Sequence, residues 1–63
     1  MILSKDTFKA GRQYSKDELT SYFADAQISE DRIKNRNYLF LYSGGRKWTF
    51  AQDKHGKYVL EEA

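Results

Sequence analysis

Apart from cysteine, the residue types that catalyse reactions are all present in this chain, but none is spaced for catalysis. There is no cysteine, which removes disulfides, thiolate metal sites and thiol nucleophiles. His55 is the single histidine, so a multi-histidine metal centre is excluded and a Ser-His-Asp triad is unsupported. It sits in Asp53-Lys54-His55-Gly56, which reads as a solvated hairpin turn. General acid–base work needs an orienting partner and a pocket, and the sequence suggests neither. Gly44-Gly45-Arg46-Lys47 sets cations after glycines. It lacks the spacing of a phosphate-binding P-loop, and its flanks read as strand and strand, not strand and helix. The carboxylate pairs Asp17/Glu18 and Glu30/Asp31 read as helix-start charges. The expectation is no enzymatic activity, no cofactor and no metal.

What remains is binding chemistry carried by cations and aromatic rings. The 63 residues hold 11 Lys and Arg against 9 Asp and Glu, a net charge of +2, but the distribution is uneven. Residues 32–60 carry Arg32, Lys34, Arg36, Arg46, Lys47, Lys54 and Lys57 against Asp53 alone, a net +6. A surface of that sign attracts phosphate; the plainer reading is a solvated face with cations on loop tips, partly neutralised by Glu61 and Glu62. The five tyrosines, four phenylalanines and one tryptophan have a structural use too. A chain this short buries only roughly 60% of its unfolded surface, and without disulfide or metal staples it needs large side chains in its core. Most rings are assigned there, leaving two or three tyrosines for a binding surface.

Positioning these residues falls to one small domain over residues 1–63, with an arm or short strand (1–14), a helix-turn-helix (15–36), a sheet (37–61) and a tail (62–63). There is no proline and no repeat. Ser15 followed by Glu18 is a capping-box signature, and Leu19, Tyr22, Phe23 and Ala26 make an apolar stripe at helical spacing; together they predict a helix over 15–27. Ser29 as N-cap, Glu30 and Asp31 in the first turn, and Arg32, Lys34 and Arg36 toward the end predict a second helix over 29–36, anchored by Ile33. Tyr38–Tyr42 is apolar on both faces, as a central strand is. Ser43-Gly44-Gly45-Arg46 and Asp53-Lys54-His55-Gly56 mark tight turns around Lys47–Phe50, before Tyr58-Val59-Leu60. The fold class is α+β, two short helices packed on a three-stranded antiparallel meander.

The order helix, break at Gln27-Ile28-Ser29, helix, and a hairpin around Gly44-Gly45 flanked by Arg46 and Lys47 resembles winged-helix DNA-binding domains over residues 15–52. The resemblance implies binding to double-stranded DNA, with Arg32, Lys34 and Arg36 on the second helix and Arg46 and Lys47 on the wing against phosphates, and Asn35 or Asn37 toward base edges. The chain departs from the pattern where Gln27 replaces the usual turn glycine, where bulky Phe23 replaces a small residue, and where Glu30 and Asp31 open the recognition helix.

Two assignments of the sheet faces stand open. The favoured one buries Tyr38, Phe40 and Tyr42 with Trp48 and Phe50 under the helices, leaving Leu39, Leu41 and Val59 as an exposed apolar strip for a protein partner or a second copy. The other opens the tyrosine face, where rings stack single-stranded bases while Arg46 and Lys47 meet phosphates. A second functional reading is a protein-binding module or inhibitor acting on a host protein. It rests on size: a short chain beginning with Met reads as a complete frame of the kind phages and plasmids encode. Edge pairing of Tyr58-Val59-Leu60 into a homodimer fits either reading. No apolar run approaches the roughly 18 residues of a membrane span, and Met1-Ile2-Leu3 passes at once to Ser4-Lys5-Asp6 with no signal-peptide pattern. The expected location is the cytoplasm, and the leading expectation is nucleic-acid binding.

Overall fold

Adjacent glycines in an otherwise apolar, aromatic stretch set the architecture. Gly44 and Gly45 both take positive φ, 58° and 79°, a type I′ turn whose twist matches the strands it joins. In the computed structural model, which describes residues 3–63, the elements run β1 (Gln13–Tyr14), α1 (Lys16–Thr20), a 3-10 turn (Ser21–Ala24), β2 (Gln27–Ile33), β3 (Arg36–Ser43), β4 (Arg46–Gln52) and β5 (Tyr58–Glu62). The strands form one antiparallel five-stranded sheet in the order β1-β5-β4-β3-β2.

This overturns the expected pair of helices on a three-stranded meander. Residues 29–36 are not a helix: Gln27–Ile33 is β2, paired along its length with β3 from Gln27↔Tyr42 to Ile33↔Arg36. The turn between them is Lys34-Asn35, with φ of 52° and 67°, a second type I′ turn. Charges suited to helix ends did not outweigh a full ladder on an aromatic central strand, because local propensity is weak against tertiary pairing. The helix-turn-helix is therefore absent, and with it the structural basis of the winged-helix likeness.

The first helix exists but is short. Ser15 caps it, its hydroxyl accepting the Glu18 N–H at 3.1 Å. The Thr20 and Ser21 hydroxyls donate back to the carbonyls of Asp17 and Glu18, local bonds that compete with α-helix continuation. The winding tightens to three residues per turn at Ser21. At that spacing Tyr22 stays beneath Leu19 while Phe23 rotates outward, so Phe23 is 76% exposed and Leu19 fully buried.

The two-residue turn at Gly44-Gly45 fixes which face is core. It sets Ser43 opposite Arg46, and hence Leu41 opposite Trp48 and Leu39 opposite Phe50. Opposed residues share a face, so Leu39, Leu41, Trp48 and Phe50 are buried together with Tyr14 and Tyr58, and Leu3, Phe8 and Leu19 complete the cluster. The favoured face assignment is thus reversed on β3, while its burial of Trp48 and Phe50 holds: Leu39 and Leu41 are in the core, and the apolar strip they were to form on the surface does not exist. Phe8 packs edge-on against Tyr14, Tyr22, Trp48 and Phe50, with ring centroids 5.1–5.7 Å away. The segment before β1 is a lid on this face, tied down by the Leu3 N–H donating to Ser43 Oγ and the Lys9 N–H donating to the Tyr14 hydroxyl. Met1 and Ile2 of the expected arm lie outside the described residues. β1 pairs with the start of β5, Gln13 opposite Val59 and Tyr14 opposite Tyr58, so two of the three residues expected to pair in a Tyr58-Val59-Leu60 homodimer already have a strand partner within the chain.

Candidate functional site

Strand alternation sends the even residues of β3 to the other face. Tyr38, Phe40 and Tyr42 stand there in a row on the middle strand of β2, β3 and β4. Their cross-strand neighbours are mostly small or polar: Asp31 and Ala51 flank Tyr38, Ser29 and Thr49 flank Phe40, and Gln27 and Lys47 flank Tyr42. The core cluster draws nothing from this row. The Tyr38 and Phe40 rings lie nearly parallel, centroids 6.1 Å apart at 14°. Tyr42 is 39% exposed, and Ile33 at the end of β2 adds a further apolar side chain to the same face at 44%.

Two cations lie against these rings. Lys47 Nζ is 4.8 Å from the Phe40 centroid and 5.9 Å from that of Tyr42. The Arg36 guanidinium is 5.4 Å from the Tyr38 centroid, donates to the Tyr38 hydroxyl and pairs with Glu61 at 3.0 Å. The hydrogen bond and charge of Glu61 raise the Arg36 pKa. Such exposed cation–π contacts are worth about 0.5–1 kcal/mol each, enough to hold the side chains across the rings and little enough to be exchanged for another flat group. The arrangement offers stacking surfaces with positive charge at their margins.

The five cations expected to form one phosphate-binding surface are not together. Arg36 and Lys47 share the aromatic face. Arg32 alternates to the opposite face, level with Asn37. Lys34 occupies the β2–β3 turn, and Arg46, opposite Ser43, lies at the far end of the sheet. Asn37 is engaged with Gln52, its Nδ2 donating to Oε1 at 2.7 Å. Glu30 and Asp31 begin no helix: Glu30 pairs with Lys16 at 2.9 Å, which raises the Lys16 pKa. Tyr38, Phe40 and Tyr42, whose favoured assignment from sequence is the core and whose alternative is an open stacking face, stand outside the core cluster. The signal that places them outside was present in the two-residue turn, since it obliges Trp48 and Phe50 to share a face with Leu41 and Leu39.

His55 is exposed in the β4–β5 turn, where Gly56 takes φ 79°. The Asp53 carboxylate holds that turn, accepting the N–H groups of His55 and Lys57. Among the described residues no group of three or more His, Cys, Asp or Glu side chains could hold a metal ion, and no helix is long and apolar enough to cross a membrane. Comparison with protein-family models, curated proteins and solved structures gives no significant match.

Proposed function

We propose that this chain is a non-enzymatic module that binds single-stranded nucleic acid on the uncovered face of its sheet. One observation carries the reading: three aromatic side chains in a row on β3, outside the core, with Arg36 and Lys47 laid against them. Bases stack on such rings whatever their identity, because every base has a π-face, and flanking cations meet the backbone. Duplex DNA hides its base faces and is read by an element in a groove. The one α-helix among the described residues has five residues, with Asp17 and Glu18 in its first turn, and is poorly suited to that role.

A protein-docking module is the competing reading, and the exposed Ile33 beside the rings is what favours it. Fluorescence anisotropy separates the two. A labelled oligothymidine and a duplex of equal length are each titrated with protein at low and physiological salt. Preferential binding of the single strand, lost when Tyr38 and Phe40 are both replaced by Ala, supports the proposal. No binding to either oligonucleotide at low salt contradicts it and leaves protein docking.

A further inference from the structure

The aromatic row ends at Tyr42, and beyond it the sheet opens into a cleft of about 500 Å³. Its lining includes Tyr42, Phe23 of the 3-10 turn, Asp25 after it, Gln27 and the Gly44-Gly45 turn. Phe23 is the most exposed large apolar side chain among the described residues at 76%, and Tyr42 is also exposed at 39%. Leaving a phenylalanine in water forgoes favourable burial, and the tightened winding at Ser21 is what turns it outward into this cleft. A Cβ built on Gly45 meets nothing within 4 Å, so the turn leaves open space where a side chain would otherwise stand. The lining is thus mixed: two aromatic rings, polar groups from the Gly44-Gly45 backbone and Gln27, and the acidic Asp25, which suits the amino and imino donors of a base edge and keeps phosphate on the Lys47 side.

Resting on the single-strand reading above, we infer that this cleft is a terminal-base subsite, in which one unpaired nucleobase at an end of the bound strand is held by Phe23 and Tyr42. A base has a face for each ring and a polar edge for the backbone and Gln27, whereas a purely aliphatic ligand would leave the polar groups unpaired. Lys47, 5.9 Å from the Tyr42 ring centroid, stands where the preceding phosphate would pass. The subsite continues the row from the sheet onto the turn, so the footprint spans four rings, from Tyr38 to Phe23.

The probe is a thymidine hexamer carrying 2-aminopurine at its 5′ end, in its middle or at its 3′ end, whose fluorescence falls when the base stacks on an aromatic ring. Bound to the unaltered protein, one terminal position is quenched along with the middle. Phe23→Ala restores fluorescence at that terminal position alone and weakens binding roughly tenfold, while Phe23→Tyr retains both quenching and affinity. Because Phe23 lies outside the core, the alanine variant keeps its circular dichroism and its unfolding midpoint. Terminal quenching that survives Phe23→Ala in a hexamer that still binds overturns the subsite and leaves the sheet reading intact. A hexamer that does not bind the unaltered protein overturns both.

Discussion

Neighbouring residues of β3 have opposite tasks, and single substitutions separate them. Phe40 faces the aromatic row and Leu41 the core. Phe40→Ala is expected to lower single-strand affinity by the worth of one stacked base, about 1–3 kcal/mol or roughly 5- to 150-fold. Its effect on stability is expected to be about 0.2–1 kcal/mol, the scale of a cross-strand pair. Leu41→Ala removes a fully buried side chain and is expected to cost about 2–5 kcal/mol, much of the stability of a domain this small. Urea unfolding and anisotropy on the same two variants test this opposition. Titration adds a pH expectation. Hydrogen bonding to Glu61 and Glu30 raises the pKa values of Arg36 and Lys16. A raised folded-state value means that each pair's contribution is fully present below the unfolded pKa and is lost only as pH rises through the folded one, far into the alkaline range. Oligothymidine affinity is therefore expected to change by less than about twofold between pH 6 and 9, measured by anisotropy.

At the scale of elements, the β2–β3 turn carries a testable strain. Lys34 and Asn35 sit at φ 52° and 67°, where Asn-Gly is the favoured pair and a lysine resists the left-handed region by about 1–2 kcal/mol. Replacing both, Lys34→Asn with Asn35→Gly, is expected to raise stability by about 1 kcal/mol, read as a higher urea midpoint. Ser15→Ala is expected to lower it by about 1 kcal/mol through loss of the α1 cap. The cap, the central strand at Tyr38–Tyr42 and both glycine-bearing turns were legible in sequence, because each depends on a few adjacent residues. β2 was not. Ser29-Glu30-Asp31 mimics a helix start, and what makes it a strand is β3, whose pairing partner is not marked locally. The end of α1 was obscured for a related reason: Leu19, Tyr22, Phe23 and Ala26 fit a helical stripe, and only the change of winding at Ser21 ejects Phe23. The candidate site was half legible. Arg36 and Lys47 are legible from their charge, whereas the rings they border are not: Trp48 and Phe50 need burial, and only the register across Gly44-Gly45 sets Leu41 and Leu39, not the β3 aromatic residues, opposite them.

At the scale of the whole molecule, the sheet separates a packed face from an uncovered one, and charge follows a different division. The net +6 of residues 32–60 is spread over both faces and the turns. Few cations therefore border the aromatic row, and Arg36 already shares its charge with Glu61. Single-strand binding is expected to respond weakly to salt, with a log–log slope of about −1.4 for two phosphate contacts; a slope steeper than about −3 in the salt titration would move the interface to the turn lysines. The central claim concerns which face meets the ligand, and ring signals report that most directly. In a ¹H–¹³C NMR titration of the aromatic side chains with oligothymidine, the signals of Tyr38, Phe40 and Tyr42 are expected to shift while those of Phe8, Tyr14, Trp48 and Phe50 stay in place. Binding that leaves the Tyr38, Phe40 and Tyr42 signals unmoved would contradict the account.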